Sequence, residues 1–412
     1  MKTIVLFMPY GSVGGMERLA AYQYKAYRAM GYTVKAVKII GLSNDVVHFG
    51  EDEIVLSTRD FHEYSTLARF WLYLRIPFMM RRIIQKYAVD YTLSYGDMAN
   101  VFSAVTLTDE YKIAGIHALK SVEFTAPSFL NRIFRKSFQT IYRRFQKVVC
   151  ISEAIKNDLL EKCDYRFPEN LQVIYNPHDI SGLQEQMLQP LLNAEEEALF
   201  SHPTIVFIGR MSVQKAPWHL IQAFAILKKD ARFAAVKLVL IGDGNAAVIE
   251  KCSSILAHHQ LESEVVFLGR RANPYAYLYR STVLALTSYY EGTPNVIVEA
   301  MATGTPIVSS NCTQGIAELM ALSPPEETLP WVTTPAGLIT PNFFKGVLDI
   351  PVTTDFTEEE YHFAAALAEV IDNTEKYRSQ LKRHQSTLLD KFDLNEVASA
   401  YLKDTWSSND AH

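Results

Sequence analysis

Residues 288–306 read Ser-Tyr-Tyr-Glu-Gly-Thr-Pro-Asn-Val-Ile-Val-Glu-Ala-Met-Ala-Thr-Gly-Thr-Pro. Two carboxylates in this stretch, Glu291 and Glu299, stand where chemistry is possible. The pattern predicts a helix that opens with Thr293 as N-cap and Pro294 at the first helical position, where its missing N–H costs nothing, and that closes at Gly304. Glu291 then lies in the loop before the helix and Glu299 about a turn and a half into it. A carboxylate accepts paired hydrogen bonds from vicinal hydroxyls, such as those of a hexose or a ribose. The backbone of Gly292, Thr293, Pro294, Asn295 and Val296 lies at the positive end of the helix dipole, a ready site for a diphosphate. By residue type alone, two Glu at this spacing are also what a solvated surface carries.

The elements that position these residues follow one grammar, used twice. Residues 4–8 are an apolar, β-branched run ending in Pro-Tyr-Gly; a helical pattern from 16 to 31 and a second apolar run, 34–40, follow. That is the strand, turn, helix and strand of a parallel sheet. Residues 148–152 and 173–175 read as its last strands. The pattern restarts with strands at 204–208, 236–241, 265–268, 283–287 and 306–309 and helices at 218–228 and 246–258. The polar, acidic segment 176–203 reads as the link between domains, and 324–357, with six prolines, as a surface excursion. Length agrees: 412 residues at roughly 150 per domain imply more than one core. In open α/β sheets, ligands bind beyond the carboxyl ends of the strands, so a cleft between two such domains is the expected site.

Composition excludes other classes. With 49% hydrophobic and 21% charged residues the chain is core-forming, not disordered or collagen-like. Its formal charge of −5 is too balanced for a generic nucleic-acid binder. Residues 1–180 nevertheless hold 23 basic and 18 acidic residues, and the rest 17 and 27, so the halves carry +5 and −10. Cys150, Cys163, Cys252 and Cys312 are far apart and without metal spacing, which reads as buried thiols in a reducing compartment. With neither a signal-peptide pattern nor an apolar run long enough to span a bilayer, the expected location is cytoplasmic.

Glu291 and Glu299, separated by seven residues and followed by Ala-Met-Ala-Thr-Gly-Thr-Pro, resemble the signature of the family 4 retaining glycosyltransferases of GT-B fold. Other pieces fall in that family's order: Gly14-Gly15-Met16-Glu17; Ile151-Ser152-Glu153; Ile174-Tyr175-Asn176-Pro177; Phe207-Ile208-Gly209-Arg210 with Lys215; Gly242-Asp243-Gly244; and Phe267-Leu268-Gly269. The resemblance implies two Rossmann-like domains facing each other across a cleft: an acceptor domain over 1–176 and a nucleotide-sugar donor domain over 177–386. Residues 387–412 would pack back toward the first domain. It also implies residue roles. Arg210 and Lys215 neutralise the leaving diphosphate, Glu299 holds the nucleotide ribose, and Glu291 contacts the transferred sugar. Gly14 and Gly15 let backbone amides approach the donor, and the nucleobase sits near Arg270 and Arg271. His117, at the end of the apolar run 113–116, faces the sugar and either holds a hydroxyl or helps polarise the reacting groups. The donor is a nucleoside-diphosphate sugar, UDP-linked most commonly, and the acceptor a glycan or lipid-linked glycan in surface polysaccharide or glycolipid assembly.

No D-x-D triplet occurs, Glu51-Asp52-Glu53 being the nearest, so transfer without cofactor or metal is expected. Residues 129–149 carry Arg132, Arg135, Lys136, Arg143, Arg144 and Lys147 and no acid, with Leu130, Phe134, Phe138, Ile141 and Phe145 opposite; 70–87 is similar. Such segments are either ordinary domain helices with basic faces or surfaces that contact anionic membrane. Two other readings of the whole chain exist. A catalytically degenerate nucleotide-sugar-binding subunit shares the same residues. A dinucleotide enzyme is argued against by the absence of G-x-G-x-x-G and of an acid ending the second strand.

Overall fold

The computed structural model describes residues 2–11, 15–42, 45, 47–124, 128–323 and 330–403. The chain divides into two compact units, Met1–His178 with Lys391–His412, and Asp179–Asp390.

The first unit is a seven-stranded sheet in the order β3-β2-β1-β4-β5-β6-β7: β1 Thr3–Met8, β2 Thr33–Ile40, β3 Glu53–Ser57, β4 Tyr91–Tyr95, β5 Tyr111–Ile116, β6 Lys147–Cys150 and β7 Leu171–Val173. All its pairings are parallel. β1 is buried along its whole length, as parallel strands covered on both faces are, which is why Ile-Val-Leu-Phe-Met reads as a continuous apolar run rather than an alternation. Side chains of β1 alternate between two cores. Ile4 and Leu6 pack with Leu19, Tyr27 and Tyr401 on one face, Val5 and Phe7 with Ile76, Met80 and Ala99 on the other.

The Leu394–Leu402 helix belongs to this unit, against the Gly15–Ala29 helix. Tyr27 donates to the Ala398 carbonyl at 3.2 Å, and the buried ammonium of Lys147 donates to the Ala400 and Tyr401 carbonyls at 2.9 and 3.0 Å. A cation there satisfies helix-end carbonyls that have no partner of their own. Lys147 is therefore not part of a basic surface. Segment 129–149 is also not one helix: it runs as the helix Phe129–Ser137, a 3₁₀ turn Ile141–Arg144 and then β6. Phe138, Tyr142 and Phe145 enter the core beside Tyr165, and that packing overrides helical periodicity.

The second unit repeats the plan in the order β10-β9-β8-β11-β12-β14-β13: β8 Thr204–Ile208, β9 Lys237–Ile241, β10 Val265–Gly269, β11 Val283–Leu286, β12 Ile307–Ser310, β13 Val332–Thr334 and β14 Gly337–Thr340. Only β13 runs antiparallel, against β14. The expected surface excursion thus supplies two strands; of its prolines, Pro324 and Pro325 lie outside the described residues. From Asp179 onward, the expected link 176–203 is also part of this unit. Its helix Ile180–Met187 packs on the helices Tyr275–Arg280 and Asn295–Thr303. Two of its acidic residues form ion pairs: Glu196 with Arg271 at 2.7 Å and Glu197 with Arg280 at 3.0 Å.

Candidate active site

Near the middle of both sheets the strand order reverses, between β1 and β4 and between β8 and β11. The carboxyl ends of the two central strands open a crevice there, the usual ligand site of doubly wound sheets.

In the second unit, β8 ends in Gly209-Arg210 and β11 in the loop that holds Glu291. Lys215 Nζ lies 2.5 Å from Glu291 Oε1, and Ser288 Oγ donates to the same oxygen at 2.7 Å. The backbone fixes this meeting. Tyr289 N donates to the Gln214 carbonyl at 2.8 Å, and Gln214 Nε2 to the Tyr290 carbonyl at 3.0 Å, so the two loops are stitched together on either side of the ion pair. Ala216 takes a left-handed conformation, φ 42°, before Pro217 opens the next helix, and Thr287 Oγ1 donates to the Lys215 and Ala216 carbonyls at 3.2 Å each. A non-glycine residue held at positive φ is strain retained by its surroundings, and here it turns Lys215 toward Glu291. Gly242 is needed for the same corner: at φ +142° a Cβ would lie 1.9 Å from the Gly209 carbonyl oxygen.

The helix beyond Glu291 starts one residue later than its sequence suggests. Pro294, with ψ 107°, is the N-cap and Asn295 the first helical residue of Asn295–Thr303. Thr293 therefore stands too far back to cap, and its buried Oγ1 has no hydrogen-bond partner. Gly292, Thr293, Pro294, Asn295 and Val296 thus lead into a helix N-terminus without a side-chain cap, its amides at the positive end of the dipole. Glu299 is buried on that helix. Arg210 is exposed and carries no ion pair among the described residues. Arg271 forks onto Glu196, Nη2–Oε1 2.7 Å and Nε–Oε2 3.3 Å, so its guanidinium is committed to holding the Ala194–Leu199 helix; Arg270 is exposed.

One group here carries no signal in the sequence. His219 Nδ1 meets Glu360 Oε1 at 2.7 Å, its Nε2 meets the Tyr289 hydroxyl at 3.0 Å, and its ring stacks on Phe343 at 4.5 Å. The partners come from three segments far apart in sequence, so no local spacing reveals the set. It braces the backbone two residues before Glu291.

In the first unit, Gly15 opens the helix after β1, and Gly14 lies outside the described residues. His117 follows β5 directly, its ring stacked on Tyr95 at 6.2 Å between centroids. Its buried Nε2 has no hydrogen-bond partner. Gly115 makes room for it, because a Cβ there would sit 2.4 Å from that nitrogen. Burial, and then the nearby Lys120 ammonium, push the imidazole down to about 3, so it is neutral at physiological pH. Lys120 itself is buried between Asp97 at 2.9 Å and Glu123 at 2.6 Å. Burial pushes the thiols of Cys150, Cys163 and Cys252 up to about 12, and all four cysteines are free, which removes them as nucleophiles.

Two parallel-sheet units, each with a switch-point crevice, define the GT-B class of fold. Anabaena HepE, solved in complex with UDP, has this fold with a TM-score of 0.73 at 18% identity, over 98% of either chain. Residues 202–337 match the family described as Glycosyl transferases group 1 and residues 13–181 the one described as Glycosyltransferase Family 4. The chain belongs to the family 4 glycosyltransferases. It is 23% identical over 269 residues to an uncharacterized glycosyltransferase of Methanocaldococcus jannaschii, spanning 63% of this chain and 65% of that one. It is also 25% identical over 199 residues to the N-acetylgalactosamine-N,N'-diacetylbacillosaminyl-diphospho-undecaprenol 4-alpha-N-acetylgalactosaminyltransferase of Campylobacter jejuni, 48% of this chain and 50% of that one.

Proposed function

We propose that this protein is a retaining glycosyltransferase. It moves a hexosyl unit from a nucleoside-diphosphate sugar, with UDP as the first candidate, to a hydroxyl of a glycan or lipid-linked glycan. The observation that carries this reading is Lys215 on Glu291 at the switch point, beside an uncapped helix N-terminus. A leaving diphosphate develops charge where Lys215, Arg210 and the helix amides supply it of opposite sign, preorganised rather than recruited from water. Glu291 shares Lys215 until an anion arrives and then offers its other oxygen to a sugar hydroxyl; Glu299 takes the ribose. His117, neutral, suits holding a sugar hydroxyl better than donating a full charge. With the counter-charge built from side chains, no divalent metal is required. The Campylobacter relative acts on a diphospho-undecaprenol glycan, which supports a lipid-linked acceptor; surface-glycan assembly on the cytoplasmic side is part of the proposal.

The test is thermal stability against UDP, GDP, ADP and NAD, with and without EDTA. A ligand at 100 times its Kd adds about 2.7 kcal/mol. A shift with one nucleoside diphosphate, unchanged by EDTA and followed by turnover of its sugars, is the expected outcome. A shift with NAD alone overturns the reading. Dependence on Mn²⁺ overturns its metal-free part, and binding without turnover of any sugar makes the chain a nucleotide-sugar-binding subunit.

A further inference from the structure

The helix Thr66–Lys86 in the first unit turns large apolar side chains to solvent. Leu67 and Phe78 are each 69% exposed, Trp71 58%, Phe70 55% and Leu74 45%. At 100° per residue these five fall on one outward stripe, opposite the buried Ile76, Met80 and Ile84. The stripe is a continuous patch of a kind that soluble surfaces seldom carry without a partner. Around and beyond it stand Arg75, Arg81, Arg82 and Lys86, and none of these has an acidic partner among the described residues. No Asp or Glu occurs from 64 to 89.

A cavity of about 340 Å³ adjoins this helix at β3, the edge strand of the sheet. Arg59 and Arg75 line it, with the hydroxyl-bearing Ser57, Thr58 and Tyr64 between them and Leu72 and Met79 from the helix. Arg59 too has no acidic partner among the described residues. An apolar stripe, cations without counter-ions and a hydroxyl-lined cavity with two arginines are three separate features, and one ligand chemistry satisfies all of them. Arginine pairs with phosphate oxygens through a planar fork, and the hydroxyls donate to the same group.

A second helix shares the arrangement. Phe129–Ser137 packs, like Thr66–Lys86, on the helix Asp97–Val105. It exposes Phe129 (76%), Leu130 and Ile133 beside Arg132 and Lys136. Both helices follow strands of a parallel sheet, so their first turns lie toward the strand carboxyl ends, the edge that carries His117.

We propose that this face of the first unit docks on anionic phospholipid, with a headgroup phosphate in the Arg59–Arg75 cavity and the stripe from Leu67 to Phe78 among the acyl chains. No helix among the described residues is long and apolar enough to cross a membrane, so the contact is one of lying on the surface. The inference does not rest on the transferase reading, since it concerns binding and not turnover.

The experiment is sedimentation of the full chain with vesicles of phosphatidylcholine, alone or with one quarter phosphatidylglycerol. Binding to the anionic vesicles only, weakening as salt rises, is expected. R59Q/R75Q lowers the partition about thirtyfold, at about 1 kcal/mol per cation. Millimolar inorganic phosphate leaves binding in place. In the unaltered protein, brominated acyl chains quench the emission of Trp71, and W71F removes the quenched component. Equal binding to both vesicles, indifference to R59Q/R75Q, release by phosphate alone, or an unquenched Trp71 each overturn the proposal. The last needs no altered fold.

Discussion

At the carboxyl ends of β8 and β11 the central groups are charged and paired, Lys215 with Glu291 and with Ser288 on the same oxygen. At the end of β5 the central group is a neutral imidazole with an unpartnered Nε2 above a glycine. The carboxyl edges of two similar sheets have been given opposite electrostatics. A lysine beside the positive end of a helix is stable only with a counter-charge, and Glu291 supplies it until an anion does. An imidazole kept neutral by burial and by Lys120 donates and accepts hydrogen bonds without bringing charge to a hydroxyl. On the proposed function, charge recognition and hydroxyl recognition fall to different units.

The largest effect should come from the charged site. Lys215→Ala is expected to lower kcat by ~10²–10³ and also to lower the melting temperature, because the buried Glu291 is left without its cation. Normal turnover in that variant would remove the distinction between the two sites. Next in size is an acid effect carried by two histidines of the first unit. His117 and His178 have folded pKa values of about 3 and about 4, lowered mainly by burial and further by Lys120 and Arg18 respectively. The unfolded chain therefore takes protons first. Their contribution is complete above pH 6.5 and is lost as pH falls from there toward the folded values, by about 2 kcal/mol per histidine at pH 5. Urea midpoints at pH 7 and pH 5 measure it, and replacing either histidine with Asn should remove its share. A midpoint indifferent to pH would mean that the imidazoles are not desolvated. Smaller again is His117→Ala in turnover, about tenfold, the loss of one hydrogen bond to a hydroxyl. The parent's pH–rate profile should show no inflection near 6.5 that this variant removes; if it does, His117 transfers a proton.

Much of this contrast was legible in the sequence and some was not, for physical reasons. The strands were readable because central parallel strands are buried on both faces and appear as short apolar runs, as in 204–208 and 283–286. Glu291 and Lys215 stood out by their resemblance to a family pattern and His117 by its place after the run 113–116; the structure brings Lys215 onto Glu291. Packing between distant segments was not. Phe138 and Phe145 looked like one face of a helix until Tyr165 gave them a core to enter, and Lys147 looked like surface charge until the Leu394–Leu402 helix brought its carbonyls. The acidic stretch around Glu196 looked like a linker because Arg271, its partner, lies 75 positions away. The neutrality of His117 depends on Lys120 and on burial, and neither has a sequence period. The cap was misplaced by one residue because Thr-Pro fits both Thr293 as N-cap and Pro294 as N-cap, and only ψ decides.

That single residue permits the smallest and sharpest test. Had Thr293 capped the helix, Thr293→Val would cost about 1 kcal/mol of stability. Its Oγ1 is instead buried without a partner, so removing the hydroxyl takes away a desolvated group and leaves none behind, and melting should hold or rise slightly. A hydroxyl placed before the Asn295–Thr303 helix, next to Gly292 and Glu291, is useful to an anion that arrives there. Thr293→Val should therefore raise the donor KM about fivefold while kcat changes little, the loss of one ground-state hydrogen bond. A drop in melting temperature with unchanged KM would return Thr293 to a structural cap. It would also leave the charged site with Lys215, Arg210 and the backbone amides as its only anion ligands.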